Sequence, residues 1–288
     1  MYRMKTKTLF SIFICCLLSL SSVQAENWWD KVPLLVYTPR YFAANAFPIP
    51  EMLGGKLSSR WEVELRGEYH TMPGDKTKDV FARLYIPIAK GRAGVTVQGV
   101  IQEWYETSPE VRDERHAVEV KQPIPCHGDA IFGFHYQALA SEKWMDIIVS
   151  ANLKTASGGR LCDARYTDAA SYWFDCNIGR TLWKNPAETL AVRAQGMVGF
   201  YCWMTNSIQN RQNDALCYGL GLQGTCHNFT LDVDYSGFRG YRGEGDKPMV
   251  FRSKLNYEIK KNIVSFRYKH GLQDYLYDTF SLAYIRCF

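Results

Sequence analysis

Beyond its first 25 residues, the 288-residue chain has no apolar run long enough to cross a membrane as a helix. It has no cluster of Lys and Arg that would track a phosphate backbone, and its net charge is only +5. Nucleic acid is therefore excluded as a partner. Its Gly 22 and Pro 11 carry no period, which excludes collagen-like and low-complexity classes. No G-x-S-x-G elbow for a serine nucleophile occurs. What remains is an ordinary globular or barrel composition, 47% hydrophobic and 22% charged, with a high aromatic share of 14%.

The first residues read as an address. Arg3, Lys5 and Lys7 form a basic region, Leu9 to Leu20 are apolar, and Val23-Gln24-Ala25 is a small-residue cleavage site. Residues 1–25 are thus expected to be a secretory signal peptide, with a mature chain from Glu26. Removing those three bases leaves 31 Lys+Arg against 29 Asp+Glu, a net of +2. Removing Cys15 and Cys16 leaves seven cysteines, an odd number that cannot form a complete disulfide framework. Cys126 and Cys162 fall in predicted loops where a bridge is open to them. Thiols inside strand patterns, such as Cys176, Cys202, Cys217 and Cys287, are expected to pack as small apolar residues.

The period is two almost throughout. Trp61 to His70 alternates apolar at odd positions with polar at even ones, which is a strand with one greasy and one wet face. The same pattern predicts strands at 60–70, 79–88, 94–105, 128–139, 145–155, 170–181, 189–204, 214–223, 228–238, 249–259, 263–270 and 278–288. That is about twelve, an even number, each near the length of a tilted membrane strand. Connections alternate between short (such as Lys260-Lys261-Asn262) and long: 71–78, 106–127, 156–169, 205–213, 239–248 and 271–277.

Short turns on one rim, long loops on the other and a last strand with Phe280, Leu282, Tyr284 and a terminal Phe288 together resemble Gram-negative outer-membrane β-barrels. Arg286 departs from that pattern, since an apolar residue is usual in its slot. More loosely, Leu153 to Gly158 with Asp163 to Asp168, Gln212-Asn213-Asp214 and Gly245 to Pro248 are similar to segments of an uncharacterised barrel family of about twelve strands. The resemblance implies an all-β fold, an antiparallel up-and-down transmembrane β-barrel. It also implies an outer-membrane location, lipid contact and recognition of the C-terminal strand by the barrel-assembly machinery through Phe288. Residues 57–288 would form the barrel, and residues 26–56 a periplasmic or lumen-inserted segment. Trp28, Trp29 and four prolines forbid a regular helix throughout that segment.

With odd residues of the first strand facing lipid, the even ones face a lumen. Extending the alternation places Glu62, Glu64, Arg66, Arg83, Asp232, Asp234, Arg252, Lys254, Arg267 and Lys269 inside as candidate constriction residues. Across the whole interior the expected acids and bases balance, so a weakly selective eyelet or a salt-bridged closed lumen is expected rather than a ring of one sign. Outward aromatics such as Trp61, Tyr69, Phe229, Tyr257 and Tyr284 fit an interfacial girdle.

Gly219-Leu220-Gly221-Leu222-Gln223-Gly224 matches a dinucleotide fingerprint literally, but a turn and a strand follow where a helix is required. Gly219 and Gly221 read better as small lumen-facing residues that leave room for an inserted segment. Cys126-His127 and Cys226-His227 lack zinc-ligand spacings. No metal, cofactor or catalytic set is expected from these motifs. The expected function is a channel or binding barrel for small polar solutes. The alternatives are a closed structural barrel and an enzyme on lipid or lipopolysaccharide, built at the long-loop rim around His70 or His116. A soluble secreted all-β protein is the remaining alternative.

Overall fold

The computed structural model describes residues 35–117, 119–205, 212–240 and 247–288. The expected signal peptide lies outside them. Twelve strands form one closed antiparallel barrel. In chain order they are β1 (Glu62–Met72), β2 (Asp75–Ile88), β3 (Ala93–Thr107), β5 (Ala130–Leu139), β6 (Asp146–Lys154), β7 (Ser171–Lys184), β8 (Leu190–Thr205), β9 (Gln212–Cys226), β10 (Phe229–Gly240), β11 (Met249–Ile259), β12 (Asn262–Gln273) and β13 (Asp278–Cys287). A short strand β4 (Ile124–Cys126) adds to β3 outside this ring. Each barrel strand pairs with its neighbour in sequence, and β13 closes onto β1 from Glu62↔Cys287 to Thr71↔Asp278. Closure removes both sheet edges, so no backbone row is left to pair with another chain.

The faces are inverted relative to a soluble protein. On β1, Val63 and Leu65 are 40% and 55% exposed, whereas Glu64 is 1% exposed. Leu220, Leu222, Phe174, Phe266 and Leu282 are likewise outward and more than half exposed. An apolar belt of that extent is stable against hydrocarbon and not against water. Among the described residues no helix is long and apolar enough to cross a membrane; the strands do so instead.

One rim carries short turns at 89–92, 140–145, 185–189, 227–228 and 260–261. The other carries 108–129, 155–170 and 274–277, while the expected connections 205–213 and 239–248 lie mostly outside the described residues. The first connection on that second rim is a correction to the expected loop 71–78. It is a two-residue turn at Pro73-Gly74, with Gly74 at φ +82° where a side chain would be strained. The polar run from Asp75 to Lys78 suggested a loop, but it continues the period-two strand: Asp75, Thr77 and Asp79 point inward and are buried, while Lys76 and Lys78 are exposed. The 108–129 loop carries a one-and-a-half-turn helix α1 (Pro109–Glu114), started by Ser108, whose hydroxyl accepts from the Val111 N–H.

Candidate functional site

Residues 35–60 thread the barrel. Leu35, Phe42 and Phe47 pack in an apolar cluster with Trp203, Phe238 and Tyr275 at the long-loop end. There the Tyr41 hydroxyl donates to the Glu114 carbonyl and the Ala43 N–H to the Ala164 carbonyl. Further down, Tyr201 donates to the Pro48 carbonyl and Arg252 to the Ile49 and Pro50 carbonyls. Met52 seats against Gly219 and Gly221, where added Cβ atoms would approach it to 2.8 Å. The Leu53 N–H donates to Asn177, Arg193 donates to the Gly54 carbonyl, and the Leu57 N–H donates to Gln137. At the short-turn rim Tyr85 bonds the Ser58 carbonyl and Arg60 pairs with Glu258. The chain therefore runs from the long-loop mouth to the short-turn mouth before β1 begins. Residues 36–46 turn on themselves, with the Tyr41 and Phe42 N–H groups bonded to the Thr38 carbonyl and the Ala46 N–H to the Ala43 carbonyl, whereas from Pro48 onward the backbone groups are met by wall side chains.

The long-loop half of the lumen is packed with buried side chains. Beside the apolar cluster lies a buried ionic network. Arg165, on the 155–170 loop, reaches Asp75 at 2.7 Å and Glu103 at 2.8 Å, and its guanidinium lies 4.1 Å from the centre of the Tyr105 ring. Arg115 also binds Asp75, at 2.6 Å, and Tyr166 and Tyr277 donate to Glu103 and Asp75. Asn45 of the threading segment bridges Asp79 and Glu103. Charges this deep persist because each is paired and hydrogen-bonded.

Most of the ten residues expected at a constriction lie nearer the short-turn half, with Lys269 level with the long-loop cluster. Glu64 is shared by Arg66, Arg83 and Arg267 at 2.9–3.1 Å. Arg83 also reaches Glu62, Arg252 pairs with Asp234, and Lys254 with Asp232. Lys269 lies over the Tyr275 ring. The ten do line one lumen, but as paired groups rather than opposed arcs. They comprise six bases and four acids. Two further acids, Glu68 beside Arg66 and Glu51 on the threading segment, bring the set to six of each. Glu68 was visible in the β1 alternation. Glu51 was not, because residues 35–60 follow no strand period.

His70, one of the two residues considered for catalysis, does not lie in an open site. His70 is fully buried, with Nδ1 2.8 Å from Thr279 Oγ1 and Nε2 2.8 Å from Asp79 Oδ2. This arrangement leaves a substrate no surface to reach. His70, Asp79 and Glu68 also bring possible ligand atoms within 4.8 Å of one another, the one metal-sized group among the described residues. Thr279, Asn45, Ser281 and Arg66 already engage most of its atoms, and Asp79 Oδ1 is left buried without a hydrogen-bond partner. His270 bonds Asp278 and stacks on Tyr268 at the rim. Cys126 and Cys162 are free thiols, so the bridge left open by the sequence is not formed. Burial, and then Asp163 beside it, pushes the Cys162 thiol up to about 11. At pH 7 it is therefore protonated and a poor nucleophile. Maleimide should leave Cys126 and Cys162 unlabelled in the folded barrel and label both after unfolding, as read by mass spectrometry of the peptides. Labelling of either in the folded state would contradict this packing.

No family model matches the chain, and no curated protein sequence matches it. Solved structures do. An outer membrane channel from Pseudomonas putida F1 is similar at 12% identity and TM-score 0.55, covering 84% of this chain and all of that one. The NanC porin is similar at 8% identity and TM-score 0.52, covering 78% and 99%. The translocator domain of the autotransporter NalP from Neisseria meningitidis is similar at 9% identity and TM-score 0.51, covering 81% and 90%. At these identities the likeness is one of fold. The chain has the twelve-stranded fold of outer-membrane β-barrels, with the strand number expected from its alternation.

Proposed function

We propose that this barrel sits in a Gram-negative outer membrane, long loops outward, and carries or binds small polar solutes along a lumen that residues 35–60 occupy when closed. One observation supports this above the others. The wall holds the threading segment largely through side chains that bond its backbone: Asn177, Gln137, Arg193, Arg252 and Tyr201. A wall furnished with such donors and acceptors can rebond a polar solute once the segment leaves, as a solid apolar core cannot. The channel and the porin named above share the fold.

The packed apolar cluster at the long-loop end favours a second reading, a permanently closed structural barrel. Planar-bilayer recording separates the two. The intact protein should be silent, and a variant lacking residues 36–57 should show discrete steps at least about tenfold above that background, since a barrel of twelve strands is wider than one filled by its own side chains. A heat-modifiable, folded deletion variant that stays silent would overturn the channel reading.

A further inference from the structure

We infer that Arg66, Arg252, Lys254 and Arg267 form a binding site for a small carboxylate-bearing solute, and that Glu51 fills this site as a tethered competitor in the closed barrel. This rests on the polar-solute reading above and names its solute class.

Glu51 is delivered to its place by anchors on both sides. Arg252 grips the carbonyls of Ile49 and Pro50, and Met52 seats between Gly219 and Gly221. The residue so placed makes no ion pair within 4 Å among the described residues. It lies instead in the joint field of Arg267, Arg66, Arg252 and Lys254, which come from β12, β1 and β11.

The bases are underserved by the wall. Arg66, Arg83 and Arg267 share the carboxylate of Glu64; Arg66 has Glu68 and Arg83 has Glu62 as a second acidic partner, while Arg267 has Glu64 alone among the described residues. Arg66 is 8% exposed, and its Nε has no hydrogen-bond partner. Lys254 holds Asp232 only at 3.5 Å. Without Glu51 the wall set carries six bases, Arg66, Arg83, Arg252, Lys254, Arg267 and Lys269, against five acids, Glu62, Glu64, Glu68, Asp232 and Asp234. Restoring that balance requires one negative charge, and a planar carboxylate matches the guanidinium geometry. A carboxylate tethered to the same chain acts at millimolar effective concentration, so a free solute must compete with it.

The test is calorimetric binding of succinate to the refolded barrel in neutral detergent at low salt. Glu51→Gln should bind succinate at least about tenfold more tightly than the wild type, because the tethered competitor is gone. Adding Lys254→Met to Glu51→Gln should abolish the gain, and raising salt should weaken it. The neutral diamide succinamide should not bind. Equal succinate affinity in wild type and Glu51→Gln would overturn the site, as would phosphate binding as tightly as succinate. This readout needs no conduction. A deletion variant that conducts but whose current is indifferent to succinate would overturn the site and leave the channel standing. A silent barrel whose Glu51→Gln form binds succinate would do the reverse.

Discussion

Replacing Gly179 with valine is expected to turn a closed barrel into a conducting one. Gly179 on β7 is the closest approach of wall to threading segment: an added Cβ would lie 2.0 Å from the Gly54 carbonyl oxygen and 2.5 Å from Arg193 Nη2. Gly55 opposes it at φ +79°, and a Cβ there would meet the Gly179 nitrogen at 2.5 Å and the Asp146 carbonyl oxygen at 2.7 Å. Backbone faces backbone, so no side chain can swing away. The wall is held on both sides by the β6–β7 and β7–β8 ladders. The segment at this level is held by a few bonds from Asn177, Arg193 and Gln137. The segment is therefore the part that yields. Single-channel recording should show steps at least about tenfold above the wild-type background, the lumen of twelve strands being too wide for wall side chains alone to fill. Gly224→Val is the matched control, because nothing lies within 4 Å of its added Cβ, and it should stay silent. A folded Gly179→Val barrel as silent as the control would remove the segment from the role of gate.

Arg165→Met should cost the barrel about 3–5 kcal/mol, because it leaves the buried carboxylate of Glu103 without its cation. Arg165 is fully buried and ties the 155–170 loop to β2 through Asp75 and Thr77 and to β3 through Glu103. After its removal Asp75 keeps Arg115 and Tyr277, while Glu103 keeps only neutral donors from Tyr166, Cys126 and Asn45. The midpoint of urea unfolding in lipid vesicles should fall accordingly. Adding Glu103→Gln to Arg165→Met should recover part of the loss, since the stranded charge is then gone. A wild-type midpoint for the single variant would show that the network contributes no net stability. No recovery in the double variant would show that the loss came from packing over Tyr105.

Strand positions and faces were legible because a barrel wall repeats one local rule. Val63 and Leu65 outward with Glu64 and Arg66 inward is a statement about neighbours in sequence, and the alternation states it directly. The predicted strands therefore lie within a few residues of those observed. The exception at 71–78 arose because Asp75, Lys76 and Lys78 look like loop residues, while a strand that rises past the lipid can carry charge on both faces. The ten lumen residues were legible for the same reason as the strands.

Their partners were not. That Arg83 and Arg267 meet at Glu64 depends on β1 lying between β2 and β13, with Arg267 reaching across from β12. Three strands must close a ring before these side chains meet. The small pair Gly219 and Gly221 signalled that something fits against them, but not that it is Met52. The segment at 35–60 has prolines and no period, so its local sequence excludes helix and strand without saying where it goes. By itself the sequence determined a membrane barrel with a polar, charge-balanced interior, because alternation and turn spacing are local. Only the tertiary structure decided that the interior is filled by the chain's own preceding residues and that Glu51 completes its charge. Those contacts span as many as 231 positions, between Tyr275 and Ala44, and exist only once the barrel has closed around the segment.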